Sequence, residues 1–421
     1  MLIVNRGAVV SVFTGGGFFG AMFAGPIGDL LGRRLTIMIG ALVFCLGGGL
    51  QTGAQSLSYL YAGRCLAGVG VGFLVMIVPL YQAELCHPSI RGRVTALQQF
   101  MLGIGALVAS WVSYGSYVGF PDSSSKQWRV SLSIQIIPAG ILALLILLFP
   151  ESPRWLIDNG KPDKGLEVLA KLHAKGNQND PWVVGEFSQI QDTITYEHEH
   201  EAQSYKELFV NRSNFRRIFL AMAIQASIQM TGVSAIQYYS VEIFQLIGIS
   251  GSHALKYQAY NSIIALFAQW ICIMVIDYTG RRWTIIIGMI FNGIFFIIAT
   301  ALLAHFNPQT NYNYNASWGF IAMTWLYNFS FSWTCGPLSW IIPAEVFDTA
   351  TRAKGVSIAT MTSFAFNTLI GQTTSVAMTN IKWRWYILFC VCNFTNALFF
   401  WAVLPETAKR PLEEMNYLFT K

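Results

Sequence analysis

Amide side chains lie inside several stretches of this sequence that are otherwise apolar. Gln99, Gln225, Gln229 and Asn367 are the clearest cases, and Trp340 adds an aromatic ring in another such stretch. An amide that leaves water costs free energy unless it finds a hydrogen-bond partner, which favours positions that face a cavity. Gln225 and Gln229 are four residues apart and therefore share one face of a helix. Such a set can bind an uncharged molecule with several hydroxyl groups. For Gln225 and Gln229, hydrogen bonding between helices without contact to a ligand is the alternative.

Arginines and carboxylates form two matched sets. The motif GDLLGRR at 28–34 recurs as DYTGRR at 277–282, and PESPRWL at 150–156 is echoed by PETAKRPLEEM at 405–415. In a third matched pair of motifs, a Glu precedes an Arg by seven residues in both copies. Contacts between such charges can form in one state of a protein and break in another. Anchoring of helix ends by solvated charges is the alternative, although anchoring requires no carboxylates. The two sets comprise Asp29, Arg33, Arg34, Glu84, Arg91, Glu151, Arg154, Asp277, Arg281, Arg282, Glu345, Arg352 and Glu406.

Groups suited to covalent or metal-dependent catalysis form no recognisable constellation in the sequence. The seven cysteines lie mostly in apolar stretches and lack the paired spacing of zinc or redox sites. His198 and His200 are two residues apart, which places them on different faces of a helix. We therefore expect no enzyme activity, no metal site and no cofactor.

The elements that must position these side chains are helices that span a membrane. Of the 421 residues, 54% are hydrophobic and only 11% are charged, whereas soluble domains carry about 25% charged residues. Crossing a hydrocarbon core takes about 20 apolar residues. The sequence predicts an all-α membrane protein with eleven transmembrane helices, near 8–28, 34–53, 58–82, 94–116, 129–149, 217–247, 256–276, 283–304, 317–344, 355–377 and 385–404.

Basic residues indicate which side of the membrane each connecting segment occupies. Most of the 27 Lys and Arg residues fall in alternate segments, which the positive-inside bias assigns to the cytoplasm. They form no continuous basic face, so the net charge of +6 does not indicate a nucleic-acid partner. Membrane lipids are the expected surroundings. The cytoplasmic segments are 28–34, 84–93, 150–217, 277–283, 345–354 and 405–421.

The matched motifs indicate that the chain contains a duplicated unit. In the second half a whole span precedes the one that ends at DYTGRR, whereas only residues 1–7 precede the matching span of the first half. The repeat thus predicts twelve helices, the first of which would lie before residue 8, and a carrier without it is expected to transport poorly. The predicted units are a first helix bundle at 1–149, a cytoplasmic linker with amphipathic helices at 150–216, a second bundle at 217–404 and a cytoplasmic tail at 405–421.

Eight motifs in this order resemble those of the sugar-porter family of the major facilitator superfamily, particularly its fungal members. The resemblance implies a major facilitator fold with two pseudo-symmetric helix bundles, which expose a central site alternately to each side of the membrane. The motifs are GDLLGRR, GRCLAGVGVG, VPLYQAELCHPSIRGR, PESPRWL, QMTGVSAIQYYS, DYTGRR, GPLSWIIPAEVFDTATRAKG and PETAKRPLEEM.

The same resemblance implies roles for particular residues. Gln99, Gln229 and Trp340 match positions that contact a sugar, and Asn367 matches a polar position of the same site. Tyr238 and Tyr239 would gate the outer end of the helix that contains Gln229. The two charged sets would act as cytoplasmic latches that close the outward-open state.

Several positions depart from the common hexose-binding pattern of that family. Ile228 and Ser234 stand where many relatives have a Gln and an Asn, Phe364 replaces a Trp, and Ala265 replaces an Asn. These changes remove hydrogen-bonding groups, although Ser234 keeps a hydroxyl and stays a candidate contact. A pentose, a disaccharide, a polyol or a cyclitol-like acid is therefore as credible a substrate as glucose.

Arg64 lies inside a span, where a charge is expensive and usually functional. In proton-coupled relatives the equivalent Arg faces an acidic residue of the first helix, so Arg64 is our candidate for coupling to protons. A structural contact with another helix is the alternative.

We expect a monomeric, multi-pass transporter of the plasma membrane that moves a small neutral sugar or polyol. It would act by facilitated diffusion or by proton symport. A transport-dead sugar sensor and a non-functional truncated product are the alternatives. Such sensors tend to carry a long cytoplasmic tail, which the short segment after PETAKRPLEEM disfavours.

Overall fold

The computed structural model describes residues 2–87, 91–121, 123–200, 209, 212–246, 249, 251–306, 314–347 and 349–406. Within these residues all regular secondary structure is helical, which confirms the all-α prediction. Nine helical segments of this described part are long and apolar enough to cross a membrane. The chain is therefore a multi-pass membrane bundle.

We group the helices by the units predicted from the sequence, a first half, a linker and a second half. The first half holds α1 (Leu2–Leu31), α2 (Arg33–Thr52), α3 (Leu57–Leu85), α4 (Arg91–Gly119), α5 (Lys126–Ser133) and α6 (Ile136–Leu145), which continues into a 3-10 turn at Ile146–Leu148. The linker carries α7 (Pro153–Asp158), α8 (Pro162–His173) and α9 (Pro181–His200). The second half holds α10 (Arg212–Gln229), α11 (Val233–Leu246), α12 (Ser252–Thr279), α13 (Arg282–His305), α14 (Tyr314–Trp333), α15 (Cys335–Val346), α16 (Thr349–Asn380), a 3-10 turn at Lys382–Arg384, and α17 (Trp385–Val403).

The nine membrane-length segments coincide with nine of the eleven predicted spans. The other two predictions, 317–344 and 355–377, fall on α14 with α15 and on α16. A break at Thr334 separates α14 from α15, and α16 carries many Thr and Ser residues, which lowers its mean hydropathy. The total of eleven spans therefore stays a prediction.

Glycines bring α1 and α3 into backbone contact. A Cβ added at Gly16 would lie 2.4 Å from the carbonyl oxygen of Cys65, and one at Gly20 would lie 2.2 Å from that of Val69. On α3, a Cβ at Gly68 would lie 2.0 Å from the carbonyl oxygen of Phe13. Any side chain at these positions would push the helices apart, because only glycine leaves room for such close packing in a membrane bundle. The backbones of the two helices therefore pack directly against each other.

A break separates α10 from α11 in the second half. Gly232 has a φ of 95°, a backbone conformation that favours glycine. The carbonyl of Thr231, freed by the break, accepts hydrogen bonds from the Tyr327 hydroxyl at 3.2 Å and from Asn393 Nδ2 at 3.1 Å. Buried side chains thus satisfy the broken backbone, as the absence of water in a bilayer requires.

Stacked rings attach the linker helices to the first half. His87, just past the end of α3, stacks on Trp182 of α9 with ring centroids 4.3 Å apart. His173, the last residue of α8, lies 5.0 Å from the Trp182 ring and 5.6 Å from the His87 ring. Burial, and secondarily the neighbouring His87 imidazole, lower the pKa of His173 below its ordinary value of 6.5.

We expect this attachment to weaken as the pH falls. Because the docked state lowers the pKa of His173, its contribution is fully present above about pH 6.5 and is lost as the pH falls from there through the lowered value. Hydrogen exchange of α8 and α9 at about pH 5.5 and about pH 7.5 measures the effect. His173→Phe, which keeps a ring but cannot titrate, should reduce the difference, whereas His253→Phe on α12 should not. Equal exchange protection at both pH values would contradict the prediction.

Candidate functional site

Gln229 lies at the centre of a hydrogen-bonded set of side chains in the second half. It is the last residue of α10 and is only 9% exposed. Its Nε2 donates to Ser363 Oγ at 3.1 Å. Its Oε1 accepts from Ser234 Oγ at 2.6 Å and from Asn367 Nδ2 at 3.2 Å. Helices α10, α11 and α16 thus converge on one amide.

Tyr238 extends this set towards open space. Its hydroxyl donates to Asn367 Oδ1 at 2.9 Å, and the residue is 40% exposed. Ser234, the other residue of this set on α11, is 2% exposed, so Tyr238 marks the side of the set that a solute can reach. We call these five residues, Gln229, Ser234, Tyr238, Ser363 and Asn367, the Gln229 cluster.

Arg64 of α3 brings the first half close to the Gln229 cluster. It interacts electrostatically with Tyr238, and its guanidinium carbon lies 5.7 Å from the ring centroid of Phe13. Its Nε is buried and lacks a hydrogen-bond partner among the residues that the structure describes. The predicted coupling residue therefore borders the cluster, and its role stays a prediction.

Gln99 also reaches the second half from the first. This half-buried residue of α4 approaches Gly336 of α15, where an added Cβ would lie 3.7 Å from Gln99 Nε2. Trp340 lies one turn further along α15 and is also half-buried. A helix that carries a predicted sugar contact thus meets a side chain of the opposite half.

Two of the predicted contact residues make hydrogen bonds to the backbone of neighbouring helices. Gln225, 2% exposed, donates from Nε2 to the carbonyl of Ser339 at 2.9 Å. Tyr239, 3% exposed, donates from its hydroxyl to the carbonyl of Gly371 at 2.7 Å. For Gln225 this bond agrees with the interhelical alternative that the sequence left open.

Ser363 is a cluster member that the sequence analysis missed. The ring of its neighbour Phe364 contacts α1 instead: an added Cβ at Gly17 would lie 2.6 Å from it. Ser363 stands four residues before Asn367 and so shares its helix face. That spacing was the available signal.

Arg33 is held by carboxylates at the end of the bundle that the charge pattern assigns to the cytoplasm. Its Nε lies 3.1 Å from Glu84 Oε2, and its Nη2 donates to Glu84 Oε1 at 3.2 Å. Its Nη1 lies 3.0 Å from Asp29 Oδ1 and donates to the carbonyl of Gly28 at 2.9 Å. The side chains of Arg33 and Glu84 are 10% and 7% exposed, whereas that of Asp29 is 66% exposed. The Arg33–Glu84 pair is therefore the buried part of this contact.

Glu151 and Glu406 perform the same task in the two halves. Glu151 Oε1 accepts from the backbone N–H groups of Arg33 at 3.0 Å and Arg34 at 3.2 Å, at the start of α2. Glu406 accepts from those of Arg281 at 2.8 Å and Arg282 at 3.1 Å, at the start of α13. A carboxylate at a helix N-terminus satisfies free N–H donors and the positive end of the helix dipole.

The other predicted latch residues are placed only in part. Arg154 is half-buried on α7. Each of the contacts given above for Glu84, Glu151 and Glu406 involves only one of the two halves. The role of these residues as cytoplasmic latches that close the outward-open state therefore stays a prediction. The side chains of Arg91, Asp277, Glu345 and Arg352 lie outside the described part of the structure.

Comparison with known proteins identifies what this arrangement is similar to. The family model described as "Sugar (and other) transporter" matches residues 3–419. The MFS glucose transporter mfs1 of Aspergillus flavus is 33% identical over 434 residues, which cover 99% of this chain and 82% of that protein. The quinate permease of Emericella nidulans is 32% identical over 432 residues, covering 98% and 80%.

A solved structure shows the same fold. It is that of XylE, a proton:xylose symporter of the major facilitator superfamily bound to 6-bromo-6-deoxy-D-glucose. The two folds agree with a TM-score of 0.82 over 98% of this chain and 89% of the other, at 24% identity. The major facilitator fold expected from the sequence is therefore confirmed.

Proposed function

The chain belongs to the family described as sugar (and other) transporter, and from this premise we propose that it carries a small polyhydroxylated solute across a membrane by alternating access. Its relatives include transporters and permeases rather than enzymes. The observation that carries the proposal is the Gln229 cluster, which gathers amides and hydroxyls of three helices beside the first half.

The chemistry of the Gln229 cluster suits a neutral polyol. Its amides and hydroxyls both donate and accept hydrogen bonds, so they can exchange their mutual bonds for bonds to the hydroxyl groups of a sugar. Tyr238 supplies the exposed entry to the cluster, and Trp340 supplies an aromatic surface on the neighbouring helix α15. A hexose, pentose, disaccharide or related polyol is the proposed substrate class. The departures of this chain from the hexose-binding pattern favour no single sugar.

We assign Arg64 as the candidate for coupling to protons, since it is the charge that borders the cluster within the described spans. Uptake that is accompanied by proton entry, and that loses this proton flux in Arg64→Gln, would support symport over facilitated diffusion.

We propose a monomer in the plasma membrane. A fluorescent fusion tests the location, and the mass of the purified protein tests the oligomeric state.

Uptake of a solute panel tests the function. Cells that lack their own sugar carriers would express the chain and receive labelled hexose, pentose, disaccharide, cyclitol and cyclitol carboxylate. Saturable uptake of at least one neutral member, even at a low rate, would support the proposal. The purified protein should also show a higher unfolding temperature with that solute, because ligands stabilise the state that binds them. If no solute is taken up and none raises the unfolding temperature, the proposal is refuted. Stabilisation without uptake would indicate a sensor.

Ser363→Ala is expected to raise the KM of uptake about two- to tenfold. The substitution removes the oxygen that accepts from Gln229 Nε2, and a hydrogen bond contributes about 0.5–1.5 kcal/mol. Thr362→Ala is the matched control, because the hydroxyl of Thr362 bonds only within its own helix, to the carbonyl of Ile358. The KM of both variants would be measured with the transported solute. A larger effect at Thr362 than at Ser363 would remove Ser363 from the site.

A further inference from the structure

We propose that α16 couples occupancy of the Gln229 cluster to the opening of the outer ends of the two halves, through side-chain hydrogen bonds to α1. This inference rests on the proposed transport function. It concerns two residue pairs, Ser11 with Gln372 and Thr14 with Thr368, which we call the α1–α16 ladder.

The ladder joins the halves by two short hydrogen bonds. Ser11 Oγ donates to Gln372 Oε1 at 2.7 Å, and the hydroxyls of Thr14 and Thr368 lie 2.7 Å apart. Thr14 is 1% exposed, so its bond is made out of contact with solvent. Buried polar groups that lose a partner cost free energy. Separating the two helices at this point therefore requires water or new partners.

The ladder lies in the outer part of the bundle. By the charge pattern, α1 runs from the outer side to the cytoplasmic motif at its end, and α16 runs back from the cytoplasmic side. The ladder occupies the first half of α1 and the second half of α16. Nearer the cytoplasm the helices meet again, where Ser357 Oγ donates to the carbonyl of Ala21 at 3.1 Å. The ladder is thus the outer part of a longer seam.

The two helices of the seam are each tied to their own half. The glycine contacts given above hold the backbone of α1 against α3. Helix α16 is bound to α10 through Ser363, and to α11 through the hydroxyl of Tyr239, which donates to the carbonyl of Gly371. A relative movement of the halves therefore acts on the ladder rather than on these contacts.

Two residues of α16 that bond to α10 or α11 are each followed directly by a ladder residue. Asn367 bonds to Gln229 and Tyr238, and the next residue, Thr368, bonds to α1. One turn later Gly371 accepts from Tyr239, and the next residue, Gln372, bonds to α1. A shift or rotation of α16 caused by a bound solute thus changes the geometry of both ladder bonds, which links occupancy to outer opening.

Cross-linking the ladder is the direct test. In the variant Thr14→Cys with Thr368→Cys, oxidation should form a disulfide across the seam and lower uptake at least tenfold. A reductant should restore uptake. The matched control is Thr14→Cys with Thr373→Cys, because Thr373 lies on α16 but its hydroxyl bonds only to carbonyls of its own helix. Both single variants control for the seven native cysteines. A disulfide across the ladder with unchanged uptake would overturn the inference.

Kinetics give a second, independent readout. Thr14→Val keeps the shape of the side chain but removes its hydroxyl, and should favour the outward-open state. We expect KM and the maximal rate of uptake to fall together, each about two- to tenfold, by the range for one hydrogen bond. Simple loss of folded protein would lower the maximal rate alone, and Thr14→Ser should restore both constants. An unchanged KM in Thr14→Val would count against the ladder. Absence of uptake by the unsubstituted chain would instead count against the transport function.

Discussion

Replacement of Gln229 by Leu is expected to reduce solute uptake at least tenfold, through a higher KM, while the amount of protein in the membrane stays the same. One side chain provides the bonds to Ser363, Ser234 and Asn367. Leu is similar in size but can neither donate nor accept, so these partners lose their orientation. Each lost hydrogen bond contributes about 0.5–1.5 kcal/mol, and about 1.4 kcal/mol corresponds to a factor of ten.

Gln225 provides the matched control for this experiment. It is the same residue type on the same helix face, one turn away, but it donates to the backbone of α15. Gln225→Leu should therefore lower the unfolding temperature and the amount of protein more than it changes KM. KM and surface amount would be measured side by side for both variants. If Gln229→Leu leaves KM unchanged, the Gln229 cluster does not bind the solute.

Removal of the carboxylate of Glu84 is expected to destabilise the first half severely. Glu84 and Arg33 are both nearly excluded from solvent, and both carboxylate oxygens of Glu84 accept hydrogen bonds from the Arg33 guanidinium. Breaking such a buried pair costs about 3–5 kcal/mol, because it leaves the remaining charge without its partner. We expect Glu84→Ala to lower the thermal unfolding midpoint of the purified protein by several degrees and to reduce its yield.

Asp29→Asn shows whether the destabilisation comes from burial of the ion pair or from loss of a negative charge near Arg33. Asp29 contacts the same arginine, but its side chain is 66% exposed, and exposed pairs contribute at most about 1 kcal/mol. The thermal unfolding midpoint of the Asp29→Asn variant should therefore stay close to that of the unsubstituted protein. Equal destabilisation by both substitutions would show that burial of the Arg33–Glu84 pair is not what matters.

Part of the candidate site could be predicted from the sequence because desolvation is a local property. An amide in an apolar stretch needs a partner wherever the helix packs, so Gln229 and Asn367 stood out, and they do bond to each other. The hydrogen-bond partner of an amide, by contrast, depends on which helix packs against it. Gln225 shares a face with Gln229, yet the packing of α15 gives its Nε2 a backbone carbonyl as its acceptor.

The matched carboxylates illustrate the same limit. Repetition of Glu151 and Glu406 predicts a shared role, that of cytoplasmic latches which close the outward-open state. Gly32 and Gly280, with φ of 92° and 77°, turn the chain so that each carboxylate meets the N–H groups at the start of a helix. These donors are visible only in the folded structure. Almost every residue has a backbone N–H group, so the sequence does not show which of them a carboxylate will meet.

The sequence by itself determined that this chain is an all-α membrane protein built from two related halves, because hydropathy, charge bias and repeated motifs are properties of residues in order. Tertiary structure alone decided which small polar residues join the halves. Ser11 and Thr14 have partners that are 361 and 354 residues away along the chain. A hydroxyl on a helix commonly bonds to the carbonyl four residues before it, as that of Thr368 does to Phe364. Its residue type therefore cannot indicate a second partner, which exists only because α1 and α16 pack side by side.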